Sequence, residues 1–222
     1  MALTLPLFPL GTVLFPGLLL PLHVFEERYR QLVRDLQAGP EPRRFGVIAI
    51  RKGRETGADG VSALYDIGCT ATVRRVAELP GGRYELVTAG TDRFRLAGLD
   101  RSRPYLQGQV ELLPEDTGDA SAARLAAEAV RSAFGTYLHA LARRSLAQVT
   151  RPELPDDAVA LSYAVAAAMV IGLPARQALL AEPDAAARLA AERTLLGREI
   201  TMLRALTSAP APDLGRSRFH PN

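Results

Sequence analysis

The chain has 222 residues, enough for one large domain or two small ones, each with a hydrophobic core of its own. Its formal charge of +3 divides as 15 basic and 12 acidic side chains in residues 1–113 against 12 and 12 in the remainder, so neither half is a strong trap for polyanions. Cys69 is the only cysteine, which excludes an intramolecular disulfide and fits a reducing compartment, the cytoplasm, with the thiol serving as a small core residue.

From Met1 to Phe25 no side chain carries a formal charge. The segment nevertheless lacks the basic start of a secretory signal, and Pro6, Pro9, Pro16 and Pro21 with Gly11 and Gly17 would break a spanning helix repeatedly. It reads as core strands and not as a membrane anchor. Composition then divides the chain near Pro114: 13 of the 18 glycines precede it, whereas Ala120 to Ala205 holds 25 alanines. The fold expected is α+β, with a β-rich lobe over 1–113, a helical lobe over 114–206 and a disordered tail over 207–222.

In chain order, extended segments are expected at Leu3 to Phe8, Leu18 to Leu20, Phe45 to Ile50, Ile67 to Val76, Tyr84 to Ala89, Arg93 to Leu99 and Tyr105 to Leu112. Pro80-Gly81-Gly82 supplies turn chemistry for a hairpin spanning Ile67 to Ala89. In Arg93-Phe94-Arg95-Leu96 the period of two sends both arginines to one face, read as solvated. One helix, Glu26 to Gln37, interrupts the strands, and Gly39-Pro40 stops it. Arg51 to Gly60 reads as a polar, mobile loop. Such strands suit a small, partly open barrel or sandwich. The second lobe should begin with a helix from Ser121 to Gln148. A second runs from Asp156 to Ile171, with Gly172 at its end, and a short one from Pro174 to Ala181. The last, capped by Asp184, reaches about Leu206, with Leu189, Leu196 and Leu203 as a packing stripe beside Ile200.

The common catalytic devices are missing. No phosphate-cradling glycine loop, no G-x-G-x-x-G, no H-E-x-x-H and no G-x-S-x-G elbow occurs, so no cofactor or metal is expected. His23, His139 and His220 lie far apart in the chain. Lys52, the sole lysine, sits in the polar loop, where nothing would desolvate it into a base. The acidic pairs Glu26/Glu27, Glu115/Asp116 and Asp156/Asp157 read as helix-start charges favoured by the dipole.

The runs Leu5-Pro6-Leu7-Phe8-Pro9-Leu10, Val13-Leu14-Phe15-Pro16-Gly17 and Leu20-Pro21-Leu22-His23-Val24-Phe25-Glu26-Glu27-Arg28-Tyr29 resemble the opening of the Lon protease N-terminal, substrate-binding domain, closest in wording to its free-standing bacterial relatives. Asp66-Ile67-Gly68-Cys69-Thr70-Ala71-Thr72-Val73, Pro80-Gly81-Gly82-Arg83-Tyr84 and Gly90-Thr91-Asp92-Arg93-Phe94-Arg95-Leu96 resemble that domain's next signatures, in order. Leu173-Pro174-Ala175-Arg176-Gln177-Ala178-Leu179-Leu180, followed by Arg188-Leu189, is similar to its Gln-x-Leu-Leu turn before a leucine-striped helix.

The resemblance implies a twisted, PUA-like β-lobe packed on a helical bundle. It also implies a non-catalytic module that recognises unfolded or extended polypeptides, alone or with a protease or chaperone partner, since the ATPase and peptidase residues of Lon find no positions in this sequence. Candidate binding residues are His23, Phe25, Tyr29 and Phe94, although an aromatic in an apolar run ordinarily belongs to the core and His23 reads first as hydrogen-bonded within the fold. The alternatives are RNA binding through the arginine-bearing strands and, last, a small hydrolase using Cys69 or a serine.

Overall fold

The computed structural model describes residues 3–54, 61–143 and 152–208. Seven strands and five helices are found among them: β1 (Leu3–Leu10), β2 (Leu19–Val24), α1 (Glu27–Ala38), β3 (Arg44–Gly53), β4 (Val61–Leu64), β5 (Ile67–Leu79), β6 (Arg83–Asp100), β7 (Gln107–Leu113), α2 (Ala120–Ala142), α3 (Ala158–Ala168), α4 (Leu173–Ala181) and α5 (Ala185–Ser208). The α+β division expected from composition holds, with strands and α1 first and the remaining helices after β7.

The strands run in the order β1-β7-β6-β5-β3-β4, and a further parallel pairing of β1 with β3 closes five of them into a ring. β1 does this by serving two neighbours in turn, Leu3 to Pro6 lying against β7 and Leu7 to Leu10 against β3. β6 is one strand where two were expected, with no break at Gly90-Thr91-Asp92. Its first half pairs with β2 and its second with β7, while β5 runs along both through register shifts that bend the pair. The β5–β6 hairpin turns through Gly81 and Gly82, both at positive φ (79° and 68°), which is why glycine stands there twice.

Three expectations about the loops need correction. Arg51 and Lys52 belong to β3, and the short strand β4, unforeseen, pairs with that extension; residues 55–60 of the expected loop lie outside the described residues. Gly172 does not end a helix but is the N-cap of α4, with ordinary extended dihedrals. Glu115 and Asp116 are not helix-start charges: Asp119 caps α2, accepting from the Ala122 N–H at 2.7 Å, and Glu115 is drawn elsewhere. Asp184, expected as a cap, accepts from the Ala187 N–H at 2.8 Å, and Asp157, expected inside a helix starting at Asp156, is instead the N-cap of α3 and accepts from the Ala160 N–H at 2.8 Å. Of the expected tail, α5 takes residues 207 and 208, and 209–222 lie outside the described residues.

Tyr29, Leu32 and Val33 of α1 pack with Phe8, Phe45, Cys69, Tyr84 and Leu86 in one core of the β-lobe, and Phe94 joins Leu7, Ile48 and Val110 in a second. Leu189, Leu196 and Leu203 are buried with Val130, Phe134 and Tyr137 of α2, so the leucine stripe is core packing as expected. A fourth cluster joins the lobes: Val13, Phe15, Ala49 and Ile67 meet Tyr163, Ala166, Leu179 and Leu180.

A polar clamp lies beside this apolar seam. Arg93, only 2% exposed, is the clearest correction to the face expected for it: it points into the helical lobe instead of solvent. Its guanidinium donates to the carbonyls of Leu180 (3.1 Å), Glu182 and Pro183 (3.0 Å), and its Nε donates to Glu115 Oε1 at 3.1 Å. The Tyr163 hydroxyl lies 2.7 and 2.9 Å from the two Glu115 oxygens and donates its single proton between them. Gln177 adds a bond from Nε2 to the Ile67 carbonyl at 2.8 Å.

Two glycines make a test of this packing. A Cβ on Gly90 would stand 2.3 Å from the Phe15 carbonyl oxygen, whereas one on Gly197, on the outer face of α5, would meet nothing within 4 Å. Gly90→Ala should therefore cost roughly 2 kcal/mol or more, and Gly197→Ala should stabilise by about 0.5–1 kcal/mol. Urea denaturation of the two variants, read for opposite displacements of the midpoint, checks both.

Candidate functional site

The first twenty-nine residues build a groove on the β-lobe. β2 has β6 as its one ladder among the described residues, so its other edge is open. The Gly90 N–H donates to the Leu18 carbonyl at 2.8 Å, and hydrogen-bonded positions alternate in an antiparallel ladder. Leu20, Leu22 and Val24 therefore turn their backbone groups toward β6, and Leu19, Pro21 and His23 turn theirs to the open edge. Pro21, without an N–H, stands at an outward position, where a strand tolerates proline and where it discourages indiscriminate edge pairing.

The groove lies along this strand and is lined by Phe8, Pro9 and Leu10 from β1, by residues 21–24 of β2, and by Phe25, Glu26 and Tyr29, enclosing about 220 Å³. Its floor is rigid. The Phe8 and Tyr29 rings stack with centroids 4.1 Å apart, Phe45 supports Phe8 from 6.0 Å, and the Arg28 guanidinium covers Tyr29 at 4.7 Å while pairing with Glu26 at 2.9 Å. At the rim Phe25 is 53% exposed, with the His23 ring 6.1 Å from its own, while Leu19, at the start of β2 and outside the groove lining, is 67% exposed. Glu85 stands opposite His23 in the ladder.

Three of the four candidate residues, His23, Phe25 and Tyr29, thus come together, the first two on the rim and Tyr29 beneath. Phe94 does not join them; it is fully buried in the second core, on strand β6 beyond the reach of β2. Phe8 and Pro21 line the groove as well, and although both stand in the opening sequence motifs they are not among the candidate binding residues. The apolar, proline-bearing runs of residues 5–10 and 20–25 are the signal that points to them.

Elsewhere, a cavity of about 460 Å³ lies between the ends of α2 and α5 and includes His139, Arg143 and Leu203 in its lining. His139 and His23 are on different lobes, and no group of three or more His, Cys, Asp or Glu able to hold a metal occurs among the described residues. Cys69 is fully buried on β5, and burial pushes its thiol far above the ordinary range, so it cannot supply a thiolate near neutral pH. Arg95, read with Arg93 as one solvated strand face, is exposed, as are Arg74 and Arg75 of β5. No helix among the described residues is long and apolar enough to cross a membrane.

Comparison with known proteins agrees with this architecture. The chain is 30% identical over 211 residues to Lon protease 2 of Myxococcus xanthus, covering 90% of this chain and 24% of that protein. It is 27% identical over 179 residues to Lon protease 2 of Syntrophobacter fumaroxidans, covering 80% and 22%. It thus spans about a quarter of the length of these relatives. Among solved structures, the Lon N-terminal domain protein from Xanthomonas campestris superposes with a TM-score of 0.60 at 27% identity, covering 94% of this chain and 99% of that one. The N-terminal domain of Mycobacterium avium complex Lon protease shares the fold, with a TM-score of 0.63 at 19% identity, over 89% and 98% of the two chains. The family model of the ATP-dependent protease La (LON) substrate-binding domain matches residues 4–198, and the chain belongs to that family.

Proposed function

We propose that this chain is a non-catalytic module of the cytoplasm that binds unfolded or extended polypeptide segments and offers them to a protease or chaperone partner. The observation that carries the reading is the open edge of β2 beside an apolar groove, with Phe25 on the groove's rim and Leu19 at the start of the strand both exposed to water. An extended segment can add to such an edge through main-chain hydrogen bonds while alternate side chains enter the groove. Family membership supports it, because the domain is described as substrate-binding. The withdrawal of the Cys69 thiol into the core supports the absence of catalysis by that residue.

The test is fluorescence anisotropy with a labelled model protein, once permanently unfolded by reduction and carboxymethylation and once native. Binding of the unfolded form alone, little affected by salt, is expected. No binding of either form would remove the reading. Salt-sensitive binding of structured or single-stranded RNA in its place would favour the RNA alternative, which has lost Arg93 to the clamp between the lobes.

A further inference from the structure

Glu192 is fully buried on α5, and neither of its carboxylate oxygens has a hydrogen-bond partner. It follows Arg188 by one helical turn, so the two share a face, alongside the core leucines Leu189 and Leu196. Arg188 is equally buried but is bonded elsewhere. Its Nε donates to the Leu179 carbonyl at 3.0 Å, its two Nη groups donate to Ser162 Oγ (2.9 Å) and the Glu182 carbonyl (3.3 Å), and the guanidinium lies 4.1 Å above the Tyr163 ring. Arg188 thus ties α5 to α3 and α4, and it shares the Glu182 carbonyl with Arg93 of the lobe clamp.

Burial pushes the Glu192 carboxyl up to about 9, against the opposing pull of Arg188, so near neutral pH it is a neutral acid. The surrounding charges do not alter this. On α5 the group acting on Glu192 is Arg188, which itself feels Tyr163 of α3 and Arg93 and Glu115 of the clamp. Arg124, Glu128 and Arg131 of α2 line an outer cavity with Asp156, and Arg176 of α4 is bonded to the carbonyls of Ala167 and Met169.

We infer that Glu192 and Arg188 form a proton-controlled latch: when Glu192 loses its proton to solvent, its carboxylate draws the Arg188 guanidinium off Leu179, Ser162 and Glu182, freeing α4 from α5 beside the lobe junction. The two arrangements differ in which acceptor Arg188 serves, and the proton selects between them. The sign follows from linkage. The folded acid titrates near 9 and the unfolded one near the ordinary 4.5. Its contribution is whole below the lower value, declines as pH rises between the two, and is gone above the higher.

The experiment compares the full chain with Glu192→Gln, which keeps the shape and removes the titration, in urea unfolding from pH 5 to 9.5. Hydrogen exchange of α4, corrected for intrinsic rates, is followed from pH 7 to 9.5. Relative to Glu192→Gln, the folding equilibrium constant of the unaltered chain should fall by up to about tenfold per pH unit across the window, and α4 protection should drop near pH 9 only where Glu192 is present. Parallel stability profiles, or α4 protection that changes alike in both proteins, would overturn the latch. Should Glu192→Gln fail to fold, Glu192→Met supplies the same non-titrating comparison.

Discussion

Replacing Arg93 by alanine is expected to destabilise the protein by roughly 3–5 kcal/mol, because one partner of a buried polar cluster is removed while the others stay behind. The carbonyls of Leu180, Glu182 and Pro183 and the carboxylate of Glu115 all lose a donor at once. These acceptors lie on the last turn of α4 (Leu180), the α4–α5 connection (Glu182 and Pro183) and the β7–α2 linker (Glu115), so the loss falls at the seam between the lobes and not within either core. Urea unfolding should show it in two ways. The midpoint should drop, and the transitions seen by far-ultraviolet circular dichroism and by tyrosine fluorescence should separate as the lobes cease to melt together. Arg93→Lys should fall between, since an ammonium has three donors and no planar fork with which to span acceptors on two segments. A loss below about 1 kcal/mol for Arg93→Ala would mean that the apolar seam of Phe15, Ile67, Tyr163 and Leu179 holds the lobes without the clamp.

Substituting Phe25 should have the opposite profile, leaving stability nearly unchanged and weakening the binding of an unfolded polypeptide. Phe25 is 53% exposed, so the fold gains little from its ring, while a bound segment would cover most of what remains. Burial of roughly 80–100 Å² of apolar surface corresponds to about 2 kcal/mol, or a loss of affinity of about thirtyfold for Phe25→Ala. Leu19→Ala should follow with a smaller loss, and Tyr29→Ala should instead unfold the groove, since Tyr29 is buried in its floor. Anisotropy titrations together with thermal melts separate the two effects. If Phe25→Ala bound as tightly as the unaltered chain, the β2 edge would not be the polypeptide site.

Much of the fold is legible in the order of the residues alone. The block from Leu3 to Ala38 stands out through its apolar runs, its prolines and the amphipathic Tyr29, Leu32 and Val33, all governed by neighbours within a few residues. The Pro80-Gly81-Gly82 turn and the Asp184 cap are legible for the same reason: a dihedral or an orphan N–H is satisfied on the spot. Part of the groove is legible too, because His23, Phe25 and Tyr29 lie within seven residues of one another at a strand-to-helix junction.

Phe94 and Arg93 mark where local pattern stops being informative. Alternation along β6 says that they face opposite ways, yet it cannot say that both ways are interior. One face of the strand meets the barrel core and the other meets a helical lobe whose acceptors arrive 87 to 90 residues later. The same holds for β1, whose local pattern does not reveal that it pairs with β7 and then with β3 to close the ring. By itself the sequence determined the kinds of elements, their caps and turns, and the apolar stretch that builds the groove, since these depend on short-range sterics and periodicity. Only the tertiary structure decided which polar side chains are buried, which strand edge stays open, and that Arg93, Glu115, Tyr163 and Arg188 converge on one seam, because each depends on groups distant in the chain meeting in space.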